Sequence, residues 1–220
     1  MKQQNKLKDS LLGFLQNLFD LTVLNWLWLL CCLPVVTVGP ATCGLYAVTL
    51  KLARGESVSP VKDFFRGFRE NLKSGVLLGL GAILLLIAAA GDIWLALQLT
   101  GSFRSLYLAV AMMVSVIFLI LITYTFALQA MFDSPLKTQV VNAFKLAVVA
   151  PGKTLLLWLI LLIPVLAALV LPPVAVGMLG FLYIIVGISG PVYGASHILR
   201  HIFDRVNGSP LVEVPPASEE

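Results

Sequence analysis

Four long stretches without a charged side chain limit how this sequence can fold. A helix needs about 20 apolar residues to cross roughly 30 Å of hydrocarbon. Only 12% of all residues are charged, against about 25% in soluble domains, and Pro172-Pro173 divides the longest stretch because proline ends a helix. We therefore expect an all-α, polytopic membrane helical bundle. The charge-free stretches are residues 21–50, 74–91, 105–132 and 154–199.

The positions of the 15 Lys and Arg residues indicate the topology. Basic residues near the ends of spans stay on the cytoplasmic side. If residues 21–50 double back, 14 of the 15 share one face, and if they cross once the division is 11 against 4. The sequence therefore favours about six transmembrane segments in three hairpins, with both termini cytoplasmic. Five segments remain the alternative, and residues 41–54, only ~21 Å long as a helix, could span or re-enter. The net charge of +4 then reports orientation, so no nucleic-acid partner is needed to explain it.

Two segments between the predicted spans begin alike, with Ser59-Pro60 and with Ser134-Pro135. Serine is a favoured helix cap, and proline suits the first helical position because no amide donor is missed there. Both segments then show an apolar stripe opposite a polar face, which predicts cytoplasmic amphipathic helices in the headgroup plane. Residues 1–206 would form one transmembrane helical domain, followed by a flexible cytoplasmic tail at 207–220. The first apolar stripe contains Val61, Phe64, Phe65, Phe68 and Leu72.

The first of these helices, residues 59–73, combines aromatic and basic side chains. One hypothesis makes it a contact surface for a partner protein. The alternative is that it only connects two hairpins, as such helices do in many membrane proteins. The candidate contact residues are Phe64, Phe65, Phe68, Arg66 and Arg69.

Polar and helix-breaking residues near the amino terminus suggest a second kind of site. Pro34, Gly39 and Pro40 predict irregular backbone within residues 33–42, and irregular backbone at membrane depth must be sheltered by protein or water. Transporters build binding sites from such broken segments. Asp20 and Asn25 lie on the preceding helix, where ionisable and polar side chains are functional candidates. A structural turn between two helices is the alternative.

Catalytic, cofactor and metal sites are not expected. No Glu, Lys or Arg lies in the centre of a predicted span. Residues 187–190 read Gly-Ile-Ser-Gly, the serine motif of rhomboid-type proteases, but a Ser–His pair is normally supplied by two helices. His197 and His201 are 8 and 12 residues downstream on the same predicted helix, and the three cysteines lack metal-site spacing. We therefore predict a protein that is not an enzyme.

Three motifs resemble those of a known family. Residues 24–28 read LNWLW, residues 33–42 read LPVVTVGPAT and residues 64–73 read FFRGFRENLK. Over about residues 15–75 the sequence resembles the bacterial YesL family of small integral membrane proteins. The resemblance implies a multi-pass protein of the bacterial cytoplasmic membrane without an established catalytic activity. It also implies an association with carbohydrate uptake systems, which makes the membrane subunits of a sugar importer candidate partners.

Two functional hypotheses follow. The first is a non-enzymatic accessory or assembly partner of a carbohydrate uptake system, and the second is a small solute transporter or channel with its site at residues 33–42. A transporter should bring inward polar side chains together at that break. The oligomeric state is left open. The side chains that could line such a cavity are Asn17, Asp20, Asn25, Tyr124 and Gln129.

Overall fold

The computed structural model describes residues 2–132, 134–170 and 172–206, so the predicted tail at 207–220 lies outside the described residues. Every regular element within these ranges is helical, and a short 3₁₀ turn, Val35–Thr37, joins the first two α-helices. The all-helical prediction is confirmed. The α-helices are α1 (Lys2–Cys31), α2 (Val38–Ala53), α3 (Pro60–Glu70), α4 (Leu72–Gln98), α5 (Ser102–Gln129), α6 (Leu136–Val149), α7 (Pro151–Val170), α8 (Pro173–Val186) and α9 (Ser189–Val206).

The apolar helices are numerous enough for a multi-pass membrane protein. Among the described residues, four segments are long and apolar enough to cross a membrane, and there are up to six if each bent helix pair counts as one span. One bent pair turns by 104° between α6 and α7, and the other turns by 56° between α8 and α9. The four segments are Leu11–Cys31, Val35–Ala53, Leu72–Gln98 and Phe103–Gln129.

The last charge-free stretch contains two interruptions. The predicted one is confirmed, because α7 ends at Val170 and α8 begins at Pro173. The second was not predicted: α8 stops at Val186 and α9 starts at Ser189, so the expected last span is broken at Gly187-Ile188.

Helix α2 lies at the centre of the bundle, where it packs against α3, α4 and α9. The most apolar stretch of Val35–Ala53 is 61% buried, whereas that of Phe103–Gln129 is 0% buried. At 16 residues, α2 is ~24 Å long. Residues 41–53 therefore belong to one continuous helix that is enclosed by the others.

Helices α2 and α4 meet backbone to backbone at three glycines. Gly75 and Gly79 lie one turn apart on α4 and face Gly39 in the first turn of α2. A Cβ added to Gly75 would lie 2.7 Å from the backbone nitrogen of Pro40, and one added to Gly39 would overlap the carbonyl oxygen of Gly75. Small residues at this spacing allow the close helix packing found in membrane proteins.

Helices α4 and α5 form an antiparallel pair joined by residues 99–101. Gly101 has φ +74°, a conformation that favours glycine. Near this connection the Tyr107 hydroxyl donates to the Asp92 carboxylate at 2.6 Å. At the opposite end the Gln129 amide donates to Asn71 Oδ1 at 3.1 Å. The pair is therefore tied by a side-chain hydrogen bond at each end.

Candidate functional site

The interruption at residues 33–42 is shorter than the sequence predicted. Helix α1 ends at Cys31, and the Thr37 hydroxyl contacts the carbonyl oxygens of Cys31 and Pro34 at 2.5 and 2.7 Å. The Pro34 carbonyl also accepts from the Thr37 backbone nitrogen at 2.9 Å, so the Thr37 hydroxyl is available to the Cys31 carbonyl at the end of α1. Pro34 lies in the turn, as expected, and is exposed.

Gly39 and Pro40 are helical and buried, so the prediction of irregular backbone at these two residues was wrong. Proline is tolerated in the first turn of a helix because the amide there has no intrahelical acceptor. Gly39 is required by close contact with Gly75 rather than by a turn. These residues start α2 and hold it against α4.

Asn25 on α1 holds the unpredicted break between α8 and α9. Its side chain is fully buried. Its Nδ2 donates to the carbonyl oxygens of Tyr183 and Ile184 at 3.2 and 2.9 Å. Its Oδ1 accepts from the backbone nitrogens of Ile188 and Ser189 at 3.0 and 3.3 Å. An asparagine amide offers two donor hydrogens and two acceptor lone pairs, so Asn25 uses its full capacity on the backbone of the break.

Ser189 adds a second tie between the break and α1. Its hydroxyl is buried and donates to the carbonyl oxygen of Leu21 at 2.7 Å. The ring of His197 packs edge-on against Tyr193, with 4.7 Å between ring centroids. Ser189 therefore serves helix packing in this structure, and its hydroxyl bonds to backbone rather than to a histidine.

The other polar candidates contact different helices. The Tyr124 hydroxyl lies 2.8 Å from the Thr154 hydroxyl on α7, and Gln129 bonds Asn71 before α4. Asp20 is buried, with 8% of its surface exposed, and precedes Asn25 by five residues, ~7.5 Å along α1. The hydrogen bonds of the polar candidates thus run to separate helix junctions rather than to residues 33–42. Asn17 is half-buried on α1.

The aromatic residues of α3 pack around a buried Phe64. Phe64 is fully buried, and a Cβ added to Gly44 of α2 would lie 3.3 Å from its ring. Phe65 and Phe68 are half-buried and lie 5.6 and 6.3 Å from Phe64 between ring centroids. Including Phe64 in an accessible contact surface was therefore wrong. The predicted basic members, Arg66 and Arg69, are exposed.

The two look-alike helices pack in opposite ways. On α3 the central Phe64 of the apolar stripe is fully buried, whereas Phe144 and Val148 on the apolar stripe of α6 are 56% and 63% exposed. On α6 the buried face includes Gln139 and Asn142 and packs toward α5. Glycines on both α2 and α3 permit the inward packing of α3, because Gly67 and Gly44 remove side chains from that contact.

Asp63 fixes the start of α3 and binds it to α2. Its carboxylate accepts from Lys51 Nζ at 3.0 Å, from the Ser59 backbone nitrogen at 2.9 Å and from Arg66 at 2.8 Å. Partial desolvation raises the pKa of Asp63, but these hydrogen bonds and the charges of Lys51 and Arg66 outweigh it and hold the pKa below its ordinary value. The predicted cap by the Ser59 side chain is not formed, because Asp63 binds the helix start instead.

At the carboxyl end of α2, two arginines contact residues from other parts of the chain. Arg54 donates to Sδ of Met131 at 3.3 Å and lies 3.8 Å from the Asp204 carboxylate. The Arg200 guanidinium donates to the carbonyl oxygen of Ala53. The carboxyl ends of α2 and α9 and the connection after α5 therefore meet at one end of the bundle.

Comparison with known proteins agrees with the sequence motifs. Residues 21–93 match a family model described as a protein of unknown function, DUF624. The chain is also 29% identical over 141 residues to the Bacillus subtilis protein YesL, whose description reads uncharacterized. The resemblance to the YesL family is confirmed. The aligned region covers 62% of this chain and 66% of the relative, and neither description assigns an activity. No solved structure matches the chain.

Two structural features were missed from the sequence. Gly75 and Gly79 form a Gly-x-x-x-Gly pattern in an apolar stretch, and this spacing alone could have predicted the close contact of α4. The role of Asn25 at the α8–α9 break had no comparable signal, because its partners lie about 160 residues away and are backbone atoms.

Proposed function

We propose that this chain is a non-enzymatic integral membrane protein that acts as an accessory or assembly partner of a carbohydrate uptake system. The observation that carries the proposal is the engagement of Asn25, Ser189 and Tyr124 in hydrogen bonds between helices. Asn25 is fully buried, and all its hydrogen bonds are made with the backbone at the α8–α9 break. It has no group left to bind a solute. The carbohydrate association comes from the family resemblance.

The proposed topology has six spans in three hairpins, with both termini cytoplasmic, in a bacterial cytoplasmic membrane. Its support is the segregation of basic residues in the sequence, together with the meeting of Arg54, Asp204 and the Ala53 carbonyl at one bundle end. The positive-inside rule makes that end the cytoplasmic one.

The alternative function, a small transporter or channel with its site at residues 33–42, has less support. Gly39 and Pro40 are buried in a helix, and Thr37 satisfies the turn from within the same segment. Tyr124 and Gln129, two of the side chains expected to line a cavity there, form hydrogen bonds at other helix junctions.

A groove between α4 and α5 is the proposed binding site for a transmembrane helix of the partner. It has a volume of about 470 Å³ and an almost wholly apolar lining that includes Leu77, Gly81, Leu84, Ala88 and Phe118. A Cβ added to Gly81 meets no other atom within 4 Å, so the groove is open at that residue. In lipid there is no hydrophobic driving force between helices, so their association depends on close van der Waals packing. Small residues such as glycine and alanine allow that close approach. The partner proposed here is a membrane subunit of a sugar importer.

Recovery of partners from native membranes tests this proposal. The full chain should co-purify with membrane subunits of a sugar importer, identified by mass spectrometry. Gly81→Phe would fill the groove and should reduce that recovery several-fold. Gly91→Phe is the matched control, because Gly91 is on the same helix, is equally open and lies outside the groove lining. Absence of any importer subunit, or equal recovery with the two variants, would contradict the proposal.

A further inference from the structure

An open groove of about 820 Å³ runs along α3 and the residues that precede it. One side is apolar and is formed by Val58, Val61 and Phe65. The other side is basic. The groove therefore has the two-sided character of a site for an amphipathic molecule. The basic residues that line it are Lys62, Arg66 and Arg69.

The basic residues form one stripe on the helix surface. Lys62, Arg66 and Arg69 are spaced by four and three residues, so they lie on one face over ~10 Å of helix. Lys62 and Arg69 form no ion pair with residues that the structure describes. Arg66 contacts Asp63 but keeps 54% of its side chain exposed. Glu70 is the one acidic residue in the groove lining, so the groove is cationic.

These cations are not needed to satisfy the interior. Asp63 keeps hydrogen bonds from Lys51 and Ser59 without Arg66. Phe64 packs into the protein, so the half-buried Phe65 is the aromatic residue that lines the apolar side of the groove. Charge complementarity thus indicates an anionic ligand that also carries an apolar part.

We propose that the α3 groove binds one anionic phospholipid, with its phosphate on Arg66 and Arg69 and the start of an acyl chain on Val61 and Phe65. Guanidinium groups bind phosphate oxygens in bidentate fashion. Helix α3 connects α2 and α4, both of which belong to segments able to cross a membrane, so the groove lies where the chain leaves the bilayer. Lipid headgroups and acyl chains meet at that depth. This inference goes beyond the proposed partner function and uses a different surface from the α4–α5 groove.

Lipid binding to the purified full chain in neutral detergent tests the inference. Native mass spectrometry and thermal stability are measured with added phosphatidylglycerol, phosphatidylcholine or inorganic phosphate. Phosphatidylglycerol should bind about thirtyfold more tightly than zwitterionic phosphatidylcholine, since Arg66 and Arg69 would each contribute on the order of 1 kcal/mol near a headgroup of net negative charge. Inorganic phosphate should bind more weakly than phosphatidylglycerol, because it lacks the apolar part.

Two variants of equal charge separate a specific site from a general attraction. Lys62, Arg66 and Arg69 changed together to Gln should abolish the preference for phosphatidylglycerol. Lys73, Lys137 and Lys145 changed together to Gln remove the same charge outside the groove and should leave it intact.

Equal loss in both variants, or no preference in the native chain, would overturn the inference. So would inorganic phosphate binding as tightly as the lipid. If the triple groove variant fails to fold, the exposed Arg69→Gln substitution alone should still lower the preference by a few-fold. An unchanged preference in that variant would count against the site.

Discussion

The contact between α2 and α4 predicts that one added methyl group on Gly75 will destabilise the bundle. In Gly75→Ala the new Cβ would lie 2.7 Å from Pro40 N and 2.8 Å from Pro40 Cα, which are backbone atoms. Ordinary contact begins near 3.4 Å, so the helices must separate locally by about 0.7 Å. Overpacking of this kind costs roughly 1–3 kcal/mol. Because α2 contacts α3, α4 and α9, a local separation should weaken the centre of the bundle.

Gly81→Ala is the matched control for this prediction. Gly81 is on the same helix, and its added Cβ meets no atom within 4 Å. Both substitutions gain the same helix propensity, roughly 1 kcal/mol, so the difference between them reports the clash alone. Unfolding by sodium dodecyl sulfate in mixed micelles, followed by helical circular dichroism, measures that difference. If the free energies of unfolding differ by less than about 0.5 kcal/mol, the proposed backbone contact is wrong.

Three further predictions concern the buried and charged groups. Asn25→Leu should lower stability by several kcal/mol, since each backbone group left unpaired at the α8–α9 break costs about 1–3 kcal/mol; the same unfolding assay measures it. Phe64→Ala should lower the free energy of unfolding by about 3–5 kcal/mol, and Phe65→Ala should lower it clearly less. If both side chains served only to contact a partner, the two substitutions would have similar effects on stability. Asp63 has a lowered pKa when folded, so its stabilising effect is complete above the unfolded pKa of about 3.9 and is lost as pH falls through the folded pKa. Asp63→Asn should therefore be less stable than the native chain at pH 6, and the two should converge in acid; a gap unchanged down to pH 2 would contradict the assignment.

The helical segments could be predicted because their causes are local. Charge-free length marks the apolar helices, and Pro172-Pro173 and Ser59-Pro60 mark breaks and starts through backbone sterics. Helix α3 starts at Pro60, as predicted, but it ends at Glu70, so Leu72 and Lys73 of the predicted segment belong to α4. Lys51 and Asp63 form an ion pair across the short connection between α2 and α3. The local sequence pattern did not indicate that Asp63, rather than Ser59, would bind the start of α3.

The direction in which an amphipathic face points could not be read from the sequence. The stripes of α3 and α6 look alike, yet Phe64 is buried and Phe144 is 56% exposed. The difference depends on whether a neighbouring helix offers space, and Gly44 on α2 provides it for α3. In a membrane both directions bury apolar surface, so hydropathy does not distinguish them. The break at residues 187–188 escaped prediction for a similar reason, because it is stabilised by distant Asn25.

The region that matches the family model contains the closest backbone contacts of the bundle. Residues 21–93 contain Asn25, the three glycines of the α2–α4 contact and the buried Phe64. Asn25 and the three glycines contact backbone atoms, which cannot move away independently of their helices. A larger or differently shaped side chain at these positions would therefore not fit without moving a helix. The long α5, whose most apolar stretch is 0% buried, lies outside the match. The α3 groove lies within the matched segment, whereas the α4–α5 groove is formed partly by α4 inside the match and partly by α5 outside it.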